Sequence, residues 1–309
     1  MTIGFLGFGE AGSTLAQGLA RAGVDDLVAY DIAWQDVPLV RERADRTGVR
    51  LVADPEQLAG SAQVIISAVI CAQAHAAIRS IMAGLTSQHW VLDINSVGRD
   101  TKVACDHDVR SAGGRYVDVA LMANVSADLA NLPLLVAGPD DPSDLAPLMD
   151  SGVVFRHVSD VVGDAAHIKL CRSLIIKGLE ALALEALSAS YAGGVHHTVL
   201  DSIDESFGAY SLGDMIRHLI GRHAVHGVRR ADELREAAST LEDVGVEPLL
   251  ARAGYERMRR GIEAGLQQRF DPQRDPGWED VLQQLDHLRA DTGPPSEAGA
   301  HTEPGEERA

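Results

Sequence analysis

The stretch Ile3-Gly4-Phe5-Leu6-Gly7-Phe8-Gly9-Glu10-Ala11-Gly12 restricts this chain more than any other. An apolar run, a G-x-G-x-x-G turn and a helical pattern (Ser13-Thr14-Leu15-Ala16) follow one another, as at the start of a dinucleotide-binding βαβ unit. Gly7 permits a tight turn, Gly9 lets backbone approach a pyrophosphate, and Gly12 lets the helix pack against the strand. The amides of Phe8, Glu10 and Ala11 complete a loop whose unpaired N–H groups suit phosphate. A second apolar run, Leu27-Val28-Ala29-Tyr30, leads into Asp31, 19 residues after Gly12. A carboxylate there accepts hydrogen bonds from an adenosine ribose and repels a 2′-phosphate, so NAD is expected as the preferred cofactor. Arg41 and Arg43 lie further on and keep NADP open. The competing explanation is a glycine-rich turn beside an unrelated strand-end aspartate, because the glycine motif alone is a weak signal.

Residues 1–162 alternate short apolar runs with helical patterns, as parallel βαβ units do. Strands are predicted at 2–6, 27–31, 50–52, 64–69, 90–94, 115–119 and 132–137, then near 153–158, with a helix near 142–150. The fold class is α/β: a Rossmann doubly wound parallel sheet, then an all-α C-terminal domain over 163–290. Residues 291–309, rich in Pro, Gly, Glu and Ala, read as a disordered acidic tail. Ser67-Ala68-Val69-Ile70 and Asp93-Ile94-Asn95-Ser96 close two central strands at the sheet's carboxyl edge, where a dinucleotide lies. Ala68, Val69, Ile70 and Asn95 are therefore assigned to the cofactor and Ser96 to the substrate. A turn cap is the alternative for Asn95 and Ser96.

The texture changes after Gly163. Asp164 to Tyr191 reads as one proline-free helix that is apolar almost all the way round. Such a helix must be covered by its own chain or by a second copy, so a homodimer is expected. Lys169, Ser173, Lys177 and Glu180 form its one polar line. Lys169 lies about one and a half turns in. Partial desolvation there would lower its pKa and suit it to general acid–base work. A lysine at a solvent edge, with its stem along apolar surface, is the alternative. Ser173 lies one turn on, placed to orient the lysine or the substrate.

Acidic residues outnumber Lys and Arg by 45 to 27, a formal charge of −18, which argues against nucleic acid or an anionic membrane as partner. A small anionic substrate stays compatible, because local cations can line a pocket. Arg222-His223-Ala224-Val225-His226-Gly227-Val228-Arg229-Arg230 concentrates such cations, and His226 is assigned to the substrate. A solvated helix face paired with Asp232, Glu233 and Glu236 is the favoured alternative for that segment. The histidines lack the H-E-x-x-H spacing, so no metal is expected. Cys71, Cys105 and Cys171 are widely spaced and odd in number, which fits a reducing cytoplasm; Cys171 reads as a buried apolar thiol. The glycine motif begins near Met1 and leaves no room for a signal peptide, and no apolar run reaches the roughly 18 residues of a membrane span.

Three segments together resemble the β-hydroxyacid dehydrogenases, which include 3-hydroxyisobutyrate dehydrogenase and 6-phosphogluconate dehydrogenase. Gly4–Gly12 fits their cofactor motif, Tyr116-Val117-Asp118-Val119-Ala120-Leu121-Met122 their substrate segment, and Gly163 with Lys169 the glycine-to-lysine spacing of their catalytic helix. The resemblance implies hydride transfer at a hydroxyl-bearing carbon, Lys169 as proton donor and acceptor, an interdomain cleft and a dimerising helical domain. It places Ser96, Met122, Asn124 and Ser173 around a small-molecule substrate. Asp118-Val119-Ala120-Leu121-Met122-Ala123-Asn124 stands where the family has Asp-Ala-Pro-Val-Ser-Gly-Gly, and Ser173 where it has asparagine. Both departures are similar to a phosphogluconate-dehydrogenase-like branch with a distinct carboxy-terminal domain. Imine reduction and a non-catalytic dinucleotide sensor are the alternatives. The imine reductases share the architecture but usually carry another residue type where Lys169 stands.

Overall fold

The computed structural model describes residues 1–123, 128–129, 132–271, 273–274 and 276–292. In chain order the first elements are β1 (Ile3–Leu6), α1 (Glu10–Arg21), β2 (Leu27–Tyr30), α2 (Pro38–Thr47), β3 (Arg50–Leu51), α3 (Pro55–Ser61), β4 (Val64–Ser67) and α4 (Ala74–Ile81). β5 (Trp90–Asp93), α5 (Arg99–Ser111), β6 (Arg115–Leu121), β7 (Pro133–Ala137), α6 (Ala146–Asp150) and β8 (Val154–Ser159) follow. The remainder is helical: α7 (Asp164–Ala192), α8 (His196–Phe207), α9 (Leu212–Asp243), α10 (Leu249–Glu263) and α11 (Trp278–Thr292). The chain divides into two compact units, residues 1–176 and residues from 177 on, so the division falls inside α7.

The first unit is one eight-stranded sheet in the order β3-β2-β1-β4-β5-β6-β7-β8. β1 to β6 are mutually parallel, and strand order reverses between β1 and β4, the switch point where an open α/β sheet leaves a crevice. The expected Rossmann parallel sheet is present, and it gains one reversal at its edge: β7 runs antiparallel to β6 and carries β8 parallel to itself. A parallel return needs a crossover of a dozen or more residues, usually helical, and the connection from β6 to β7 is shorter than that.

Alternation along the strands builds two cores. Ile3, Phe5, Val64, Ile66, Leu92, Val117 and Val119 face α1 with Leu15 and Leu19. Leu6, Val28, Ile65, Val91 and Tyr116 face the other way, against Ile78, Ile81, Cys105 and Val109. In the central strands β1, β4 and β5, with a period of two and both faces covered, strand residues are apolar or internally paired.

In the second unit, the buried positions of α9 are Gly221, Ala224, Gly227, Ala231 and Ala238, a small-residue stripe at helical spacing. α10 buries Ala251 and Gly261. Ala224, Leu266, Val281 and Leu288 form a compact core in this unit. The Glu185 carboxylate accepts hydrogen bonds from Leu250 N (2.7 Å) and Ala251 N (2.9 Å), which satisfies the orphan donors where α10 starts. Along α7, Leu174 is 75% and Leu184 66% exposed in the single chain. Cys171 is exposed too, which corrects its reading as a buried thiol; its sulfur lies 3.7 Å from His167 Nε2, one turn back on the same open helix. No helix among the described residues is long and apolar enough to cross a membrane.

Candidate active site

The glycine loop closes the gap between β1 and α1 as the motif requires. Gly7 N donates to Tyr30 O (2.8 Å), and its φ of +92° is one that only glycine adopts freely. A Cβ on Gly12 would stand 2.5 Å from Gly7 O, so α1 rests directly on the turn. Gly9 is different: a Cβ there meets nothing within 4 Å. It caps α1, and no side chain bonds the helix's first amides. The loop thus offers an open cradle with free donors, which suits an anion. Beside it, Asp31 Oδ2 accepts from Phe8 N (2.7 Å) and Oδ1 from Ala33 N (2.9 Å). Each oxygen keeps a lone pair, so the carboxylate is fixed by the loop and still able to accept.

The neighbouring strand ends are tied to each other. Val69 N donates to Asn95 Oδ1 (2.7 Å), and Asn95 Nδ2 donates to Ser67 Oγ (2.9 Å) and to Asp93 Oδ1 (2.6 Å). The Asn95 amide is therefore engaged within the protein and straps the two edges together. Ala68 and Val69 are half-buried against Gly7, and Ile70 is exposed. Ser96 is half-buried, its carbonyl accepting from Cys71 Sγ (3.2 Å).

Beneath this edge lies a cluster that the sequence did not reveal. Lys102, Asp93 and Asp118 are each 0% exposed. Lys102 Nζ donates to Asp93 O (2.6 Å) and lies 3.2 Å from both Asp93 Oδ2 and Asp118 Oδ1. Tyr116 OH donates to Asp93 Oδ2 (2.6 Å). Asp118 Oδ2 accepts from Gly163 N and Ala166 N, both at 3.1 Å, at the start of α7. Two carboxylates against one ammonium leave a net negative charge, which these donors and the helix N-terminus offset. Burial, then the Asp93 charge, push the Cys105 thiol up to about 12, and the same two causes raise the Tyr116 hydroxyl well above its usual range. A single lysine in a charged helix reads as solvated. Its only clue is that Lys102, Cys105 and Val109 share one helical face.

Lys169 and Ser173 lie one turn apart on α7, both half-buried. Arg99 pairs with Asp164 (3.0 Å) in the first turn of the same helix. Met122 lines an open groove of about 690 Å³ at the carboxyl edge of the sheet, with Leu135, Val154, Arg156, Val158 and Ile168. Asn124 lies outside the described residues. His226 stands on α9 in the second unit, in an open groove of about 650 Å³ that also holds Arg229, Asp232, Glu233 and Glu236. Arg229 pairs with Glu233, as a solvated helix face would. Burial, with Arg257 and Arg230 nearby, lowers the pKa of His223.

Residues 2–96 match the family described as NADP oxidoreductase coenzyme F420-dependent, and residues 191–261 match a domain of unknown function, DUF1932. A conserved hypothetical protein from Sinorhizobium meliloti is 33% identical, with 94% of this chain and 97% of that one covered and a TM-score of 0.57. A second conserved protein, whose structure was described as similar to 3-hydroxyacid dehydrogenases, is 26% identical over 85% of this chain and 98% of its own, with a TM-score of 0.57. An imine reductase from Myxococcus stipitatus, solved with NADP+, shares the fold with a TM-score of 0.72 at 18% identity, covering 92% of this chain and all of that one (100%).

Proposed function

The chain belongs to the β-hydroxyacid dehydrogenase superfamily, and on that premise we propose that it is an NAD-dependent oxidoreductase. It moves a hydride between nicotinamide and the hydroxyl or carbonyl carbon of a small anionic substrate. The observation that carries the reading is the open turn at Gly9: the one glycine of the motif with nothing of the protein near its missing Cβ stands at an uncapped helix N-terminus. The amides of Gly9, Glu10, Ala11 and Gly12 would hold the pyrophosphate, with Gly7 and Phe8, whose own amides bond Tyr30 and Asp31, shaping the turn, and Asp31 the adenosine ribose. Ala68, Val69 and Ile70 would flank the dinucleotide, with Asn95 holding their loop to the next strand. The dinucleotide supplies the hydride chemistry when bound.

The chain's own residues supply orientation and the proton. Lys169, half-buried on α7, exchanges a proton with the substrate oxygen, and Ser173 orients it. Ser96 and Met122 face the reacting end, and Arg156, in the groove with Met122, supplies a cation for an anionic group. The exposed Leu174 and Leu184 support a homodimer in which a second copy covers α7.

Fluorescence titration with NADH and NADPH tests the cofactor reading. Tighter NADH binding is expected. In Asp31→Asn the side-chain oxygen serves only one of the Phe8 and Ala33 amides as before, and the charge-assisted bonds to the ribose go. At roughly 1.5–3 kcal/mol for such bonds, NADH affinity falls about 10- to 150-fold while NADPH affinity falls less. Preference of the unmodified protein for NADPH, or binding of neither dinucleotide, overturns it.

A further inference from the structure

We infer that Lys102 is a positioning residue, whose buried ammonium joins the dinucleotide edge of the sheet to the helix that carries Lys169. The inference rests on the role proposed for Lys169. On one side, Lys102 bonds Asp93, and Asp93 Oδ1 accepts from Asn95 N (2.9 Å) and Asn95 Nδ2 (2.6 Å). Asn95 in turn accepts from Val69 N beside the glycine turn. On the other side, Lys102 pairs with Asp118, which receives the Gly163 and Ala166 amides. Ala166 stands one turn before Lys169. One cation therefore sits between two carboxylates, each of which fixes one half of the reaction geometry.

Stability is a poor reason for such a cluster. Replacing a buried ion pair by well-packed apolar residues is often neutral or stabilising, whereas removing one partner strands a charge. An apolar residue in place of Lys102 would fill the same space but would not hold both strand ends to the helix start. The ammonium donates to the Asp93 carbonyl of β5 and sits 3.2 Å from the Asp118 carboxylate of β6, so one charge engages both strands at once.

Lys102→Met and the double variant Lys102→Met/Asp118→Asn separate positioning from folding. The single change leaves Asp93 and Asp118 buried without their cation, so its Tm falls. The double change removes the cation and one anion together, so Tm recovers. The carboxamide that replaces the Asp118 carboxylate keeps an oxygen for the Gly163 amide, while the link to Asp93 stays broken. With the substrate that the unmodified protein turns over fastest, both variants are expected to lose kcat by about a hundredfold, the cost of a misplacement near 1 Å, with KM and NADH Kd little changed. Recovery of kcat together with Tm in the double variant, or unchanged kcat in the single one, overturns the inference.

A second readout needs no substrate. Saturating NADH is expected to slow amide exchange in the peptide from Gly163 to Lys169 of the unmodified protein. In the double variant NADH binds without slowing it; equal slowing in both overturns the link. Lys169→Met, measured alongside, distinguishes the two ideas. Full activity of that variant removes the role proposed for Lys169, while the exchange data still decide whether Lys102 joins the edge to the helix.

Discussion

Gly9→Ala and Gly12→Ala differ by one methyl group at positions three residues apart, and the structure predicts opposite consequences for stability. At Gly9 the added Cβ meets nothing within 4 Å, and φ −70°, ψ −157° is extended backbone open to alanine. The change restricts the unfolded chain and is expected to raise stability by about 0.4–1 kcal/mol. For a unit of this size that is a rise in Tm of a few degrees, roughly 1–4 °C. At Gly12 the Cβ would stand 2.5 Å from Gly7 O, about half an ångström inside the shortest contact a real Cβ makes. Either α1 or the turn must move, at a cost of about 1–3 kcal/mol. Both variants lose dinucleotide. In Gly9→Ala the methyl fills the cradle and holds the pyrophosphate off the amides. Two charge-assisted hydrogen bonds at about 1.5–3 kcal/mol each correspond to a 10²- to 10⁴-fold rise in the NADH Kd. The assay is thermal unfolding and NADH fluorescence titration on the same preparations. Gly9→Ala that binds NADH like the unmodified protein refutes the reasoning, and so does Gly9→Ala that unfolds as early as Gly12→Ala.

The thiols give an independent check on burial. Cys71 is exposed and Cys105 is buried, so a thiol reagent at pH 8 should modify Cys71 quickly and Cys105 only on unfolding, while Cys171 on α7 is shielded where the proposed second copy covers that helix. Burial and the nearby Asp93 push Cys105 up to about 12. Above pH 9 the unfolded chain releases a proton that the folded chain keeps. This thiol therefore lowers stability as pH rises from 9 towards 12, by up to about 1.4 kcal/mol per pH unit, and Cys105→Ala should flatten the alkaline side of the stability profile.

What could be read from the sequence was what depends on local pattern. The near-continuous apolar runs around Val64–Ser67 and Trp90–Asp93 marked central strands because both faces of those strands are covered. The glycine turn and Asp31 were legible because a tight turn and a strand end carry their own residue signature. The direction of β7 was not, since a buried strand's apolar run is the same in either direction. The exposure of Cys171 was not, since an all-round apolar helix does not say which copy covers it. Lys102 was missed because its partners come from β5 and β6, and a lysine with two distant aspartates leaves no mark in the spacing of its own helix.

The most direct test of hydride transfer assisted by Lys169 is isotopic. NADH deuterated at the transferring C4 position is incubated with 3-oxoacids, aldehydic acids and cyclic imines, and the products are weighed by mass spectrometry for the unmodified protein and for Lys169→Met. The expected result is an acid product bearing one deuterium on the new carbinol carbon. In the variant NADH still binds but the rate falls by about 10²- to 10⁴-fold, the usual contribution of a general acid. Dinucleotide bound with no deuterium delivered to any carbonyl compound, or delivered at full rate without the lysine, contradicts it.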